Sequence, residues 1–307
     1  MTDQDATPVA RCYRHPDMEA RIRCARCDRH ICPDCMVDAA VGFQCVECAR
    51  QGARETRPTL RFGGHASRDP RLTTYAIVAV NVVVWLAITL TGGGASPVAS
   101  TLELTPRGVC STADGGLYFP SATSAALCSG LPGAVWWPGV ATGAVWQVVT
   151  NAFTHIDWMH LLVNMLSLVM IGPAIERVLG RARFLAVYLV SALTAAAMVM
   201  WFASPETGSV GASGSLFGLM GAMLLLSRRL GGNVRLVLGV LGFNLVYTVL
   251  GAGISWQGHL GGLLGGLAVT ALLTETDREA RQRWFWPGCA AIALMALAAI
   301  AVRAVLL

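Results

Sequence analysis

From residue 74 onward the sequence is dominated by long apolar runs, and this pattern restricts the fold more than any single residue does. A helix that crosses a bilayer needs about 20 apolar residues. Runs of that order lie at about Thr74 to Leu90, Trp158 to Ile175, Phe184 to Phe202, Ser213 to Ser227, Val234 to Leu250, Gly258 to Leu273 and Pro287 to Leu306, seven in all. Only 13% of the 307 residues are charged, about half the share of a soluble domain. Inside a bilayer every backbone polar group must be bonded internally, which leaves helices as the means of crossing. The expectation is an all-α polytopic membrane protein.

The formal net charge of +5 rests on arginine, since the chain contains no lysine. The arginines gather at alternate connections: Arg177, Arg181 and Arg183; Arg228, Arg229 and Arg235; Arg278, Arg281 and Arg283. The connections around Pro205 to Thr207 and Gly251 to Gln257 carry none. Basic residues stay on the cytoplasmic side. The N-terminus is therefore expected in the cytosol, with the spans in the plasma (inner) membrane. Arg61, Arg68 and Arg71 hold the start of the first span on the same side, whereas Arg303 near the outer end must snorkel. Scattered between apolar runs, the arginines make no basic patch, and no nucleic-acid partner is expected. The first 70 residues are polar and Cys-rich, so no cleavable signal peptide is expected. Residues 93 to about 145 read as a long loop, with Trp136, Trp137 and Trp146 near its end as an interfacial belt. Cys110 and Cys128 both lie in it, either as a disulfide on the outer side or as two free thiols.

Ahead of the spans, Cys and His fall in pairs with two residues between the members: Cys12 and His15, Cys24 and Cys27, Cys32 and Cys35, Cys45 and Cys48. The spacing lets both side chains of a pair reach one metal, and eight ligands make two tetrahedral sites. Disulfides are the alternative, disfavoured in a reducing cytosol. Residues 1–52 are too few to fold on an apolar core, so metal would supply the stability. His30 is a weaker ligand candidate, read as a surface residue. The order of pairs resembles a B-box-type zinc finger. That resemblance implies that Cys12, His15, Cys32 and Cys35 hold one structural zinc and Cys24, Cys27, Cys45 and Cys48 a second, in a module that would contact a cytosolic protein partner. Residues 53–72 read as a linker.

The fourth run is short and begins in a glycine-rich stretch, Gly208 to Gly221, that contains Ser213. Its 15 or so residues span roughly 22 Å at 1.5 Å each, less than a hydrocarbon core of about 30 Å. With Arg228 and Arg229 at the inner surface, Ser213 lies below the outer one, reached by irregular backbone that must line a wet cavity. His259 starts the sixth run at similar depth. Gly258, Gly262 and Gly266 on that run, and Gly214, Gly218 and Ala222 on the fourth, are four apart, and small residues so spaced let two helices meet closely. Ser213 and His259 would then meet as nucleophile and base, with no acidic third member in a matching span. In the second run His160 and Asn164 share a helical face and could stabilise an oxyanion.

His160 and Asn164, Gly211 with Ser213 and Gly214, and His259 with Gly262 and Gly266 resemble the signature of the rhomboid intramembrane serine proteases. The resemblance covers residues 73–275 and implies a rhomboid-like six-helix bundle, to which residues 276–307 add a cytosolic loop and a seventh C-terminal helix containing Cys289. It implies Ser213 as nucleophile, His259 as general base, and an oxyanion hole of the Ser213 N–H, Asn164 and His160. Gly211 and Gly214 would support the site, Phe217 would stack on His259, and His155 would be structural. The fifth run would be the substrate gate, Glu176, Arg177 and Gly180 fit the family's turn, and Gln147 after Trp146 replaces the frequent arginine. Partners would be transmembrane protein substrates and the lipid bilayer, with the active site open to the extracytoplasmic side and no cofactor for catalysis. The alternative is a catalytically silent membrane adaptor whose zinc module binds a cytosolic partner. A transporter would want charged residues within the spans, and Asp157 and Glu176 lie only at ends.

Overall fold

The computed structural model describes residues 9–55, 59–251 and 253–307. Thr56, Arg57 and Pro58, within the expected linker, lie outside the described residues. The chain divides into two compact units, residues 1–58 and 59–307.

The first unit is built from two small antiparallel hairpins and a helix. Strand β1 (Ile22–Arg23) pairs with β2 (His30–Ile31), and β3 (Met36–Asp38) with β4 (Phe43–Cys45), followed by α1 (Val46–Glu55). Its buried apolar side chains are six cysteines, Cys12, Cys24, Cys32, Cys35, Cys45 and Cys48, with Ala20 and Ile31, and Cys27 is half-buried. A core of two aliphatic residues cannot offset the chain entropy of some 50 residues.

The second unit is a helix bundle. Of the stretch read as linker, residues 59–71 belong to it: Phe62 is buried in the main core, and Ser67 donates to Glu176 at 2.6 Å. Helix α2 (Leu72–Leu90) leads to a stretch that is structured, not the open loop the composition suggested. Helix α3 (Pro97–Leu102) precedes a hairpin of β5 (Gly108–Thr112) and β6 (Ala134–Pro138), with α4 (Ala125–Ser129) between them. Cys110 and Cys128 are joined by a disulfide, with Cα atoms 5.7 Å apart. Trp136 and Trp137 lie on β6, and Trp137 donates to Ser111 Oγ at 3.1 Å, so these rings serve the hairpin as well as the interface. After the short α5 (Gln147–Thr150), buried Gln147 ties the segment down. Its Oε1 accepts from the Thr105 N–H at 3.1 Å and its Nε2 donates to the Pro138 carbonyl at 3.0 Å. The neutral amide thus clasps three parts of one loop.

Helices α6 (Trp158–Leu179), α7 (Arg181–Phe202), α8 (Ser213–Leu230), α9 (Val234–Leu250), α10 (Trp256–Thr274) and α11 (Arg278–Leu306) complete the bundle. Among the described residues four helices, α2, α6, α7 and α11, are long and apolar enough to cross a membrane by length and composition. Helices α8 and α10 fall short through their glycines and polar residues, and α9 through its length. Asp157 caps α6, Asn233 caps α9, Ser255 caps α10 and Asp277 caps α11, each with a side-chain oxygen on a first-turn N–H. Helix α11 starts nine residues before Pro287 and runs through it, so the expected inner loop is mostly helix. Arg303 does not reach for water alone: its Nε donates to the Met200 carbonyl at 3.2 Å and its guanidinium lies over Trp201.

The centre of the bundle is α10, packed between α7 and α8. A Cβ at Gly262 or Gly266 would strike the carbonyl oxygen of Gly214 or Gly218 on α8. On its other side, a Cβ at Gly261 would lie 2.6 Å from the Thr194 carbonyl of α7. Glycine is therefore obligatory where backbone meets backbone. Gly266→Val should force α8 and α10 apart and cost at least about 1–3 kcal/mol, read as a lower thermal midpoint in detergent. Gly239→Ala on α9, where a Cβ meets nothing within 4 Å, should leave the midpoint unchanged or raise it.

Candidate active site and metal-binding clusters

The starts of α6, α8 and α10 and the end of α9 meet at the bundle end opposite the arginine-bearing turns. They surround a cavity of about 500 Å³, lined among others by His160, Asn164, Gly211, Ser213, Thr248 and His259. Ser213 is the first residue of α8. Its neighbour α10 is capped by Ser255, but α8 begins at Ala212 with no side-chain cap. The first N–H groups of α8 have no intrahelical acceptor and stay available at the partially positive end of the helix.

The backbone before Ser213 is held from several sides. Gly211 has φ of +120°, a region that a side chain resists, and its N–H donates to the Asn151 carbonyl at 2.9 Å. A Cβ there would also meet the His160 ring at 2.7 Å. The Ala212 N–H points to His155 Nε2 at 3.4 Å, and Asn164 Nδ2 lies 3.1 Å from the same nitrogen. A ring nitrogen that receives two N–H groups is unprotonated, so His155 carries its proton on Nδ1. Asn164 Nδ2 also donates to the His160 carbonyl at 3.0 Å. Both protons of that amide therefore face protein acceptors, and Asn164 must release one to donate into the cavity. His160 packs edge-on against His155, with ring centroids 4.9 Å apart.

His259 is buried in the first turn of α10. Its ring stacks on Phe217, with centroids 4.2 Å apart and planes 17° from parallel. Its Nδ1 lies 2.7 Å from Thr248 Oγ1. Ser213 Oγ has no hydrogen-bond partner among the described residues. Ser213 and His259 thus share one cavity without a hydrogen bond between them, and catalytic hydrogen bonds are often long until substrate is bound. The distance in sequence concealed Thr248 and Asn151, which no motif marks. Asp157, at the start of α6, is its cap: its Oδ1 accepts from Met159 N and His160 N at 2.9 and 3.0 Å.

In the first unit the ligand atoms of Cys12, His15, Cys32 and Cys35 lie within 4.8 Å of one another, as do those of Cys24, Cys27, Cys45 and Cys48. The first pair joins the third and the second joins the fourth. A tetrahedral ion with metal–sulfur bonds of about 2.3 Å sets its sulfurs about 3.8 Å apart and a nitrogen about 3.5 Å from each. Cys27 and Cys45 sulfurs are 3.8 Å apart, and His15 Nδ1 is 3.3 and 3.5 Å from Cys32 and Cys35. Both clusters could therefore hold a metal ion. Burial pushes the Cys12 and Cys24 thiols up, but the backbone N–H groups aimed at each sulfur outweigh it and hold both at about 6. The Arg29 guanidinium, 3.2 Å from the Cys27 sulfur, holds that thiol below its ordinary value as well. Thiolate is the form a metal binds. His30 stands apart from both clusters, half-buried, with Nδ1 2.8 Å from the Ala20 carbonyl.

Residues 142–276 match the family model of the rhomboid domain. The chain is 34% identical over 142 residues to the putative rhomboid protease YdcA of Bacillus subtilis, covering 45% of this chain and 71% of that protein. It is 35% identical over 142 residues to the rhomboid protease GluP of the same organism, covering 44% of this chain and 27% of GluP. With the rhomboid protease GlpG of Salmonella choleraesuis the identity is 32% over 157 residues, 47% of this chain and 56% of GlpG. The matched region contains the cavity, both glycine ladders and every residue that lines Ser213, and with this the chain belongs to the rhomboid family, as a multi-pass membrane protein carrying an additional cysteine-rich unit.

Proposed function

We propose that this chain is an intramembrane serine protease that hydrolyses peptide bonds in or near transmembrane segments of other membrane proteins. The observation that carries the reading is the placement of Ser213 at the uncapped start of α8, in one cavity with His259. Ser213 Oγ attacks the scissile carbonyl carbon and its proton passes to Nε2 of His259. Negative charge on the carbonyl oxygen falls to the free Ser213 N–H, to His160 and to Asn164, which turns from His155 or from the His160 carbonyl. His259 then protonates the leaving amine. Water from the cavity, deprotonated by the same nitrogen, releases the acyl group. The cavity opens at the end away from the arginine-bearing turns, so cleavage occurs on the extracytoplasmic side of the plasma (inner) membrane. The two clusters of the first unit each hold one zinc ion, whose Cys-rich, fully protein-supplied ligand sets suit structure and leave no open position for chemistry.

Four outcomes test this. Ser213→Ala or His259→Ala should lower cleavage of a single-span substrate by more than about a thousandfold. A fluorophosphonate should label the wild type and not Ser213→Ala. Cleavage retained by Ser213→Ala would exclude the mechanism, and absent labelling of a folded wild type would leave the adaptor reading. Asn164→Ala should lower kcat about a hundred- to a thousandfold with KM little changed. An effect under threefold would assign the oxyanion to Ser213 N–H and His160 alone. Elemental analysis should give two zinc ions per chain, lost in parallel with the order of residues 9–55 when a strong chelator is added, while cleavage by the membrane unit continues. Cleavage that stops with zinc removal would contradict a purely structural metal.

A further inference from the structure

The ring of His259 is fixed by two different contacts, and only one belongs to the machinery described so far. Stacking on Phe217 sets the plane of the ring but not its rotation within that plane. Either ring nitrogen could face the cavity and either could carry the proton. The second contact removes both freedoms. Thr248, on α9 and only 3% exposed, has its Oγ1 2.7 Å from His259 Nδ1 and 2.7 Å from the Asn244 carbonyl. A hydroxyl has one proton. The Asn244 carbonyl can only accept, so two oxygens at 2.7 Å require that proton between them. Toward His259 the Thr248 oxygen is then an acceptor, and Nδ1 must be the donor.

We infer that Thr248 is a positioning residue that holds His259 in the tautomer with its proton on Nδ1, leaving Nε2 unprotonated toward the cavity that contains Ser213. The inference rests on the protease reading for its consequence, but the tautomer itself does not. Sequence reasoning found no third member of the dyad because it sought a carboxylate in a matching span. The partner is a neutral hydroxyl, eleven residues earlier across a turn. It is also borne by another helix than the base. Helix α9 has only three buried side chains, Val237, Leu241 and Thr248. A shift of α9 away from α10 therefore withdraws the acceptor from His259 while the Phe217 stack, which lies on α8, stays in place.

The test compares wild type, Thr248→Val, Thr248→Ser and Ser213→Ala in the same membranes. Selective 15N-histidine labelling, with the His259 signals assigned by their loss in His259→Ala, reads the tautomer directly. Wild type and Thr248→Ser should show Nδ1 protonated and Nε2 bare, and Thr248→Val should show a mixture or the reverse. Thr248→Val should slow both fluorophosphonate labelling of Ser213 and substrate cleavage about five- to tenfold, the worth of one neutral hydrogen bond. Thr248→Ser should restore both to within twofold. A wild-type His259 protonated on Nε2, or a Thr248→Val protein with wild-type tautomer and rates, overturns the inference. So does Thr248→Ser as slow as Thr248→Val, which would mark a packing role. Cleavage retained in Ser213→Ala would instead sink the protease reading while leaving the tautomer result standing.

Discussion

The structure depends on the contact of α10 with α8, where the glycines of one helix lie on the carbonyl oxygens of the other. Hydrophobic burial gives no reason for two helices to associate within lipid, since the lipid is as apolar as the side chains. Close backbone approach supplies it through dispersion contacts that no longer side chain permits. The same contact sets the chemistry. It brings the starts of both helices to one level, and the starts carry Ser213 and His259. A larger residue at Gly262 would therefore disturb the site and the bundle together.

Around that axis the polar groups are arranged by secondary structure more than by ion pairs. His155 receives the Ala212 N–H and the Asn164 amide, and Asn151 receives the Gly211 N–H. The bonds from Ala212 and Gly211 fix irregular backbone that would otherwise be left unsatisfied at membrane depth. Charged groups are kept to the ends. Glu176 is buried at the arginine-bearing end, where Ser67 and Thr73 donate to it and Arg181 lies at 3.5 Å. The arginine-bearing end thus buries an ionised group among its donors, whereas the cavity at the other end is lined mainly by neutral donors and acceptors, with Asp157 as its carboxylate.

Much of this was legible in the sequence. The four-residue glycine spacing revealed the α8–α10 contact, because a helix repeats its face every three to four residues. The same periodicity placed His160 beside Asn164. Pairs of Cys and His separated by two residues gave the two clusters that could hold metal ions, since one turn of chain suffices to bring such a pair together. What could not be read is what the chain brings together across long separations. The β5–β6 hairpin lies in a stretch of glycine, proline and serine whose alternation is too weak to mark strands. Gln147, where the resemblance leads to an arginine in this loop, is the clasp of it. Pro287 looked like a beginning, yet α11 had already run for two turns, on the side where water can satisfy the freed carbonyl.

The bare start of α8 has a consequence for how this protein could be improved or spoiled. Ala212 stands where Ser, Thr, Asp or Asn would ordinarily add about 1 kcal/mol to a helix. A side chain of that kind would place its oxygen on the N–H of Gly214 or Ser215, next to the Ser213 N–H that the proposed reaction reserves for the substrate's oxygen. Ala212 is also fully buried and its backbone is helical, so a longer side chain there has neither the space nor the extended backbone that a cap needs. The stability forgone at this one position is therefore built into the packing, and it leaves the mouth of the helix open to the cavity.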